Sequence, residues 1–370
     1  MYPVGFQITR STTPKPTSMT NLFQKIELQL QQGFPFAVFA KPGIDTVTGV
    51  FQNTAEAHLL TDFSQKGFAF APFDGEDVCF IPAHAADILS VTISANGFSP
   101  SEVKQPAINE AAKKAFEDLV VKSVSVIKEG QFEKLVLSRK ESVEIGASDI
   151  LGIYQKLLYT YPTAYRYCFY HPKSGLWMGA TPEQLLKVEN KTLHTVALAG
   201  TQLYKEGEEA VWENKEKEEQ RFVTDYIIGS LKEYTVDVRY TEPYTFRAGN
   251  IVHIKTDISA ELSASDSLKG IVQTLHPTPA VCGLPKQKAK DFLLANEGYD
   301  REYYSGFLGE VSTDFASGQP KTDLFVNLRC VKIDGDTAHI YIGCGITKDS
   351  NPENEFIETV NKSITMRRVL

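Results

Sequence analysis

From Ser18 to Gln32 the apolar residues Leu22, Phe23, Ile26 and Leu30 recur near helical spacing, and Gly33 ends the run. The stretches PFAVFA (35–40), GFAFAPF (67–73) and VCFIPA (78–83) have another character. They are short, rich in Phe and Val, and read as strands. A polar connector carrying Pro100 and Pro106 occupies 96–106. Beyond it, Phe116, Leu119, Val120, Val124 and Ile127 make one stripe on a helix predicted over 107–129, with Gly130 as its stop. KLVLSRK (134–140) then reads as a strand.

The later half mixes both patterns. RYCFYH (166–171), LWMGA (176–180), LLKVEN (185–190), NIVHIKTDISAEL (250–262), GFLGEVS (306–312), DLFVNLRCVKI (323–333) and TAHIYIGCGI (337–346) predict strands. Helices are predicted over 208–232, 267–275, 285–297 and 352–367. Several strands follow one another with no long helix between them. That favours antiparallel sheet and the α+β class over doubly wound folds. No internal repeat or low-complexity tract interrupts the pattern. Residues 1–18, rich in Thr, Ser and Pro, are expected to be partly loose.

Composition narrows the function classes. With 370 residues the chain has room for one large domain or two ordinary ones. Its net charge of −8 argues against a nucleic-acid partner, which needs a basic field. A small anionic substrate stays open, because a local cluster of cations overrides net charge. The five cysteines are scattered with no CxxC pair, so free thiols in a reducing compartment are expected. No secretory pattern opens the chain and no apolar run approaches the length of a membrane span, so a cytoplasmic location without a membrane partner is expected.

Two acidic pairs stand out. Glu216 and Glu219 lie three apart on one predicted helix, and Glu355 and Glu358 on another. Each pair shares a helix face and can present two oxygen ligands to one Mg²⁺. Carboxylates about 5 Å apart repel by about 3 kcal/mol at an effective dielectric near 20, so converging pairs need a cation. From spacing alone, a solvated, salt-bridged helix surface is the stronger reading of WENKEKEEQR.

Lys134 opens an apolar strand, either as a snorkelling edge residue or as a buried amine. Glu183, in Thr181-Pro182-Glu183, resembles a helix start, where a dipole favours the ionised carboxylate. A general acid there needs burial or another charge to hold its proton. Arg329, inside FVNLRCVKI, calls for an anionic partner, whether substrate or structural carboxylate. Lys362 sits four residues after Glu358 and can pair with it. His276, in LHPTP, is either a core histidine or a donor to substrate. No zinc-type histidine spacing and no phosphate-binding glycine loop is present.

Eight segments in order resemble the chorismate-utilising enzymes. They are KLVLSR (134–139), GATPEQLL (179–186), LAGTQ (198–202), KEKEEQRFV (215–223), LHPTPAVCGLP (275–285), YDREYYSGFLGEV (299–311), NLRCVKI (327–333) and IGCGITKDSNPENEFIETVNK (342–362). They cover most of 107–370, while 1–105 corresponds to the family's variable N-terminal part. The resemblance implies one unit of two stacked, mainly antiparallel sheets with helices outside and a cleft between the layers. It implies Lys134 as the base that activates water for attack at C2 of chorismate, and Glu183 as the acid for the departing C4 hydroxyl. Glu219 and Glu358 would be the main Mg²⁺ ligands, with Glu216 and Glu355 direct or through water. Arg329 and Tyr304 would grip the pyruvyl carboxylate, Lys362 and Gly345 would complete the pocket, and Ala199, Gly200, Thr201 and His276 would line it.

Within the family, ammonia users carry glutamine at the position of Lys134. Lysine there implies water as nucleophile, hence isochorismate synthesis and no glutaminase subunit. Ala199 stands where aminodeoxychorismate synthases often place a nucleophilic lysine, and the tryptophan-binding signature of anthranilate synthases is not apparent. Salicylate formation, by later loss of pyruvate, is the alternative, and Ala280, Val281 and Tyr304 bear on it. An anthranilate synthase component or a non-catalytic relative are more remote readings. The product is expected to feed menaquinone, with a siderophore as the other destination. Gln202, Gln220 and Ala197 depart from common family residues and affect only the fine shape of the pocket.

Overall fold

Two ten-stranded sheets face each other in the computed structural model, which describes residues 14–93, 107–146, 149–248, 251–264 and 267–370. The first 13 residues and the 96–106 connector lie outside the described residues. The first sheet runs Lys15–Pro16, Ala86–Thr92, Thr46–Gln52, Phe36–Ala40, Tyr165–His171, Gly175–Thr181, Cys330–Asp334, Thr337–Ile346, Lys134–Glu144, Gly283–Leu284. Its neighbours are antiparallel except the edge pair of Lys15–Pro16 with Ala86–Thr92. The second runs Thr235–Tyr240, Ile251–Leu262, Thr192–Leu203, Gln184–Glu189, Lys321–Val326, Phe307–Val311, Gly67–Ala71, Cys79–Pro82, His58–Leu59, with Tyr244–Ala248 also paired to Ile251–Leu262. The α+β architecture of stacked antiparallel sheets is the expected one.

Aromatic side chains fasten the layers. Phe39 of the first sheet meets Phe68 of the second at 5.2 Å between ring centres, Phe169 meets Phe70 at 4.5 Å, and Tyr165 stacks on Phe325 at 4.2 Å. Such pairs add about 0.5–1.5 kcal/mol each beyond area burial. Seven helices are described: α1 (Met19–Gln32), α2 (Glu110–Lys128), α3 (Ile150–Thr160), α4 (Asn214–Leu231), α5 (Ser267–Leu275), α6 (Lys286–Asn296) and α7 (Pro352–Arg367). They cover the outer faces. Leu22, Ile26, Ile153 and Leu157 of α1 and α3 pack on the first sheet, and Val223, Ile227, Ile271 and Leu275 of α4 and α5 on the second.

Local chemistry sets the boundaries. Ser18 caps α1 by accepting from the Asn21 amide, and Gly33 ends it in the left-handed region at φ 66°. α4 starts at Asn214, later than the predicted 208, because Glu213 and Glu216 close a capping box there. α3 has no counterpart among the predicted helices. Asn351 caps α7, with Pro352 in its first turn.

Two predictions about strands and turns are corrected. DLFVNLRCVKI is two strands: Lys321–Val326 belongs to the second sheet and Cys330–Asp334 to the first. Thr181-Pro182-Glu183 is no helix start. Thr181 ends a first-sheet strand and Gln184 opens a second-sheet strand. Pro182 and Glu183 therefore cross between the layers, as do Asn327 to Arg329. The crossings are bonded together: Val326 N–H donates to Glu183 O at 2.9 Å, Ala180 N–H to Arg329 O at 3.0 Å, and the Thr181 hydroxyl to Val326 O at 2.6 Å.

Candidate active site

Side-chain alternation puts Lys134 at the site. Along Lys134–Glu144, Leu135 and Leu137 point into the core beneath α2, α6 and α7. Lys134 and Val136 point the other way, into a cavity of about 180 Å³. Lys134 is only 3% exposed, so it is the buried amine and not a snorkelling edge residue. Its Nζ donates to Glu219 Oε1 at 2.6 Å.

Glu183 enters the cavity from the first crossing and Arg329 from the second. Arg329 has φ 48°, a conformation unfavourable for a side-chain-bearing residue and held here by the bonded crossings. Burial pushes the Glu183 carboxyl up to about 7, against the opposing pull of Lys134, Arg329 and Lys362. Because Glu183 does not begin a helix, no dipole favours its ionised form. Burial lowers the Arg329 guanidinium from its ordinary value, opposed by Tyr304, Glu358 and Glu183. Tyr304 stacks on Tyr341 at 5.7 Å and borders the same cavity.

Glu216 and Glu219 of α4 and Glu355 and Glu358 of α7 all reach this cavity. The solvated-surface reading of WENKEKEEQR is thereby set aside for Glu216 and Glu219. Their present partners are specific. Glu219 holds Lys134, Glu358 accepts from Lys362 Nζ at 2.6 Å, and Glu216 Oε2 accepts from the Glu213 amide at 3.1 Å. Lys362 also donates to Gly343 O at 3.1 Å. Among the described residues no three acidic, histidine or cysteine side chains are already gathered as a metal cage. The donor set, four carboxylates from two helices facing one space, is nevertheless of the hard-oxygen kind that suits Mg²⁺. A cation there would draw Glu219 and Glu358 from their lysines.

Glycines supply the room. A Cβ on Gly345 would stand 3.2 Å from both Glu219 Oε1 and Lys134 Cε, and one on Gly343 would stand 2.7 Å from the Tyr304 hydroxyl. Gly200, at φ 70°, lies in a bulge between Ala199 and Gln202, and a Cβ there would meet Glu216 Cβ at 3.0 Å. Ala199 and Gly200 line the cavity. The Thr201 side chain lies outside the described residues.

His276 is not brought to the site. Its Nε2 lies 3.0 Å from Pro72 O, and its ring meets Phe307 edge-on at 5.1 Å. Burial pushes it down to about 4, so it is a neutral core histidine. The histidine on the cavity is His253, which sequence reasoning passed over. Its Nδ1 lies 2.9 Å from Gly200 O, and burial pushes it down to about 4. A carbonyl only accepts, so Nδ1 carries the hydrogen of the neutral ring. The available signal was the alternation within IVHIKT, which sets His253 on the face opposite the apolar Val252 and Ile254.

The family model described as chorismate binding enzyme matches residues 83–370. The chain belongs to the chorismate binding enzyme family. Among curated members it is similar to the salicylate biosynthesis isochorismate synthase of Pseudomonas aeruginosa, 27% identical over 80% of this chain and 63% of that protein. It is also similar to isochorismate synthase MenF of Haemophilus influenzae, 30% identical over 91% of this chain and 79% of that one. The chain thus spans less than two thirds of the Pseudomonas relative's length. The fold is shared with the solved structure of MenF, the menaquinone-specific isochorismate synthase from Escherichia coli, at a TM-score of 0.75 and 21% identity over 92% of this chain and 89% of that one. The cavity lies between the two layers, where the resemblance implies a cleft. No helix among the described residues is long and apolar enough to cross a membrane.

Proposed function

We propose that this chain converts chorismate to isochorismate, with water as the nucleophile and Mg²⁺ as cofactor. The observation that carries the reading is the placement of an amine and a proton-holding carboxyl, Lys134 and Glu183, on different walls of one cavity. Hydroxyl transposition over an allylic system needs a base at one carbon and an acid at another. Lys134 is the base that takes the proton of the attacking water. Glu183, kept protonated by burial, gives its proton to the departing hydroxyl, which leaves as water.

Charge supports the substrate class. Four carboxylates of α4 and α7 share the cavity with Lys134, Arg329 and Lys362. A dianion such as chorismate would be repelled by that surplus of carboxylate unless a divalent cation joined it. Mg²⁺ held by Glu219 and Glu358, with Glu216 and Glu355 in support, would neutralise the acids and bind the ring carboxylate. Arg329 and Tyr304 would bind the pyruvyl carboxylate, and the names of the MenF relatives favour menaquinone as the destination.

Chromatography of products from chorismate, with and without EDTA and without ammonia, tests the reading. Isochorismate that disappears with EDTA is the expected result. Salicylate with pyruvate would show that the reaction continues, and no turnover of bound chorismate would overturn the assignment.

A further inference from the structure

A second cavity lies behind Glu183. It measures about 10 Å³ and shares Glu183, Leu198 and Ala280 with the main cavity. Apolar side chains of α4 and α5 supply much of the remaining wall. Two hydroxyl residues border it. Thr195 already donates to Leu185 O at 2.6 Å. Thr278 is 7% exposed, and its hydroxyl is buried with no hydrogen-bond partner among the described residues.

An unpartnered buried hydroxyl is costly, because it has lost its hydration and gained nothing in return. A space of roughly 10–15 Å³ is the smallest that admits the centre of one water, and such a water needs two to four polar partners. Thr278, Glu183 and the remaining acceptor capacity of Thr195 meet that need.

We propose that this cavity is a binding site for one ordered water that bridges the Thr278 hydroxyl to the Glu183 carboxyl, making Thr278 a positioning residue for the acid. The inference rests on the reading of Glu183 as the proton donor. Water and hydroxyl are each donor and acceptor, so the bridge serves both states of Glu183. It accepts from the neutral carboxyl and, turned round, donates to the carboxylate left after proton transfer. The charged groups acting on Glu183 are Lys134 from its strand, Arg329 from the other crossing and Lys362 from α7. The α4 and α5 side of the niche offers Val223, Ile227 and Leu275. The bridge is therefore the polar support on that side.

Thr278→Val keeps the shape and removes the hydroxyl, and Thr278→Ser restores it. Titration of Glu183 is followed by carbon-detected NMR, assigned with Glu183→Gln, alongside the pH profile of turnover and thermal melting. In a folded Thr278→Val variant the Glu183 titration should move up by about half a pH unit or more, the usual sense when a donor to a carboxylate is lost. Turnover should fall about 3- to 10-fold, less than the roughly 100-fold or more expected on losing the acid itself. Thr278→Ser should return both, and a high-resolution crystal structure should show a water bonded to both residues. An unmoved titration in folded Thr278→Val, or a dry cavity in the crystal, overturns the proposal. The titration and crystal readouts stand even if the wild type makes no isochorismate, an outcome that would overturn the functional reading instead.

Discussion

Lys134 Nζ and Glu219 Oε1 are 2.6 Å apart, joining the proposed base to a proposed metal ligand. The same carboxylate can serve the lysine or a cation. Lys134→Ala should therefore abolish turnover, by about 100-fold or more. Mg²⁺ affinity, measured by calorimetry, should be unchanged or tighter, because a competing cation has been removed. Full activity of the folded variant would exclude Lys134 as base.

Glu183 gives a signed pH dependence. Its carboxyl is raised to about 7, so the proton is held below that pH and lost above it. In the free enzyme kcat/KM should decline as pH rises through about 7, from the loss of the acid form. The same shift means the folded state binds this proton more tightly than the unfolded chain does. Its contribution to stability is present at low pH and disappears as pH rises through the folded value. Glu183→Gln should flatten that dependence in denaturant titrations and remove most turnover.

Arg329 separates binding from chemistry. Replacing it with methionine removes charge-assisted hydrogen bonds of about 1.5–3 kcal/mol to a carboxylate. Steady-state assays should show a KM for chorismate raised roughly 10- to 100-fold, with a smaller change in kcat. An unchanged KM would show that the guanidinium does not hold substrate.

Gly343 and Gly345 should differ when changed to alanine. At Gly343 the new methyl would face the Leu137 carbonyl at 2.8 Å as well as the Tyr304 hydroxyl, and backbone cannot yield cheaply. A loss of about 1–3 kcal/mol of stability is expected. At Gly345 the neighbours are ends of flexible side chains, Glu219 Oε1 and Lys134 Cε. That variant should melt near the wild type yet lose activity, which paired melting and turnover measurements would separate.

Arg301 and Glu297 form a buried ion pair in which Arg301 also donates to Val136 O at 2.7 Å and Val281 O at 2.9 Å. Glu297 in turn accepts from the Ser138 amide and hydroxyl. Arg301→Leu leaves a buried carboxylate without its cation and should cost about 3–5 kcal/mol in chemical denaturation. Glu297→Gln with Arg301 intact tests the converse partner.

The strands at Phe36–Ala40 and Thr337–Ile346, and the helix pairs of acids, were legible because apolar period and local caps decide them. What the chain hid were changes of layer. In DLFVNLRCVKI, a strand leaving one sheet and a strand entering the other are both apolar, so the pattern runs unbroken through the crossing. Thr-Pro-Glu misled for a related reason: the same residues suit a helix start and a sheet-to-sheet link. His253 and His276 show the same limit. Both sit in apolar surroundings, and only the register of Ile251–Leu262 against Thr192–Leu203 brings one of them to the cavity.

The paired crossings have a mechanical consequence. Glu183 and Arg329 hang from links that are bonded to each other, so a sliding of one layer over the other would carry both together. α4 packs on the second sheet, whereas α7 lies over the Thr337–Ile346 strand of the first. Their carboxylates would part under the same sliding. Breathing of the layers would thus loosen the grip on a cation while the spacing between proton donor and guanidinium is preserved.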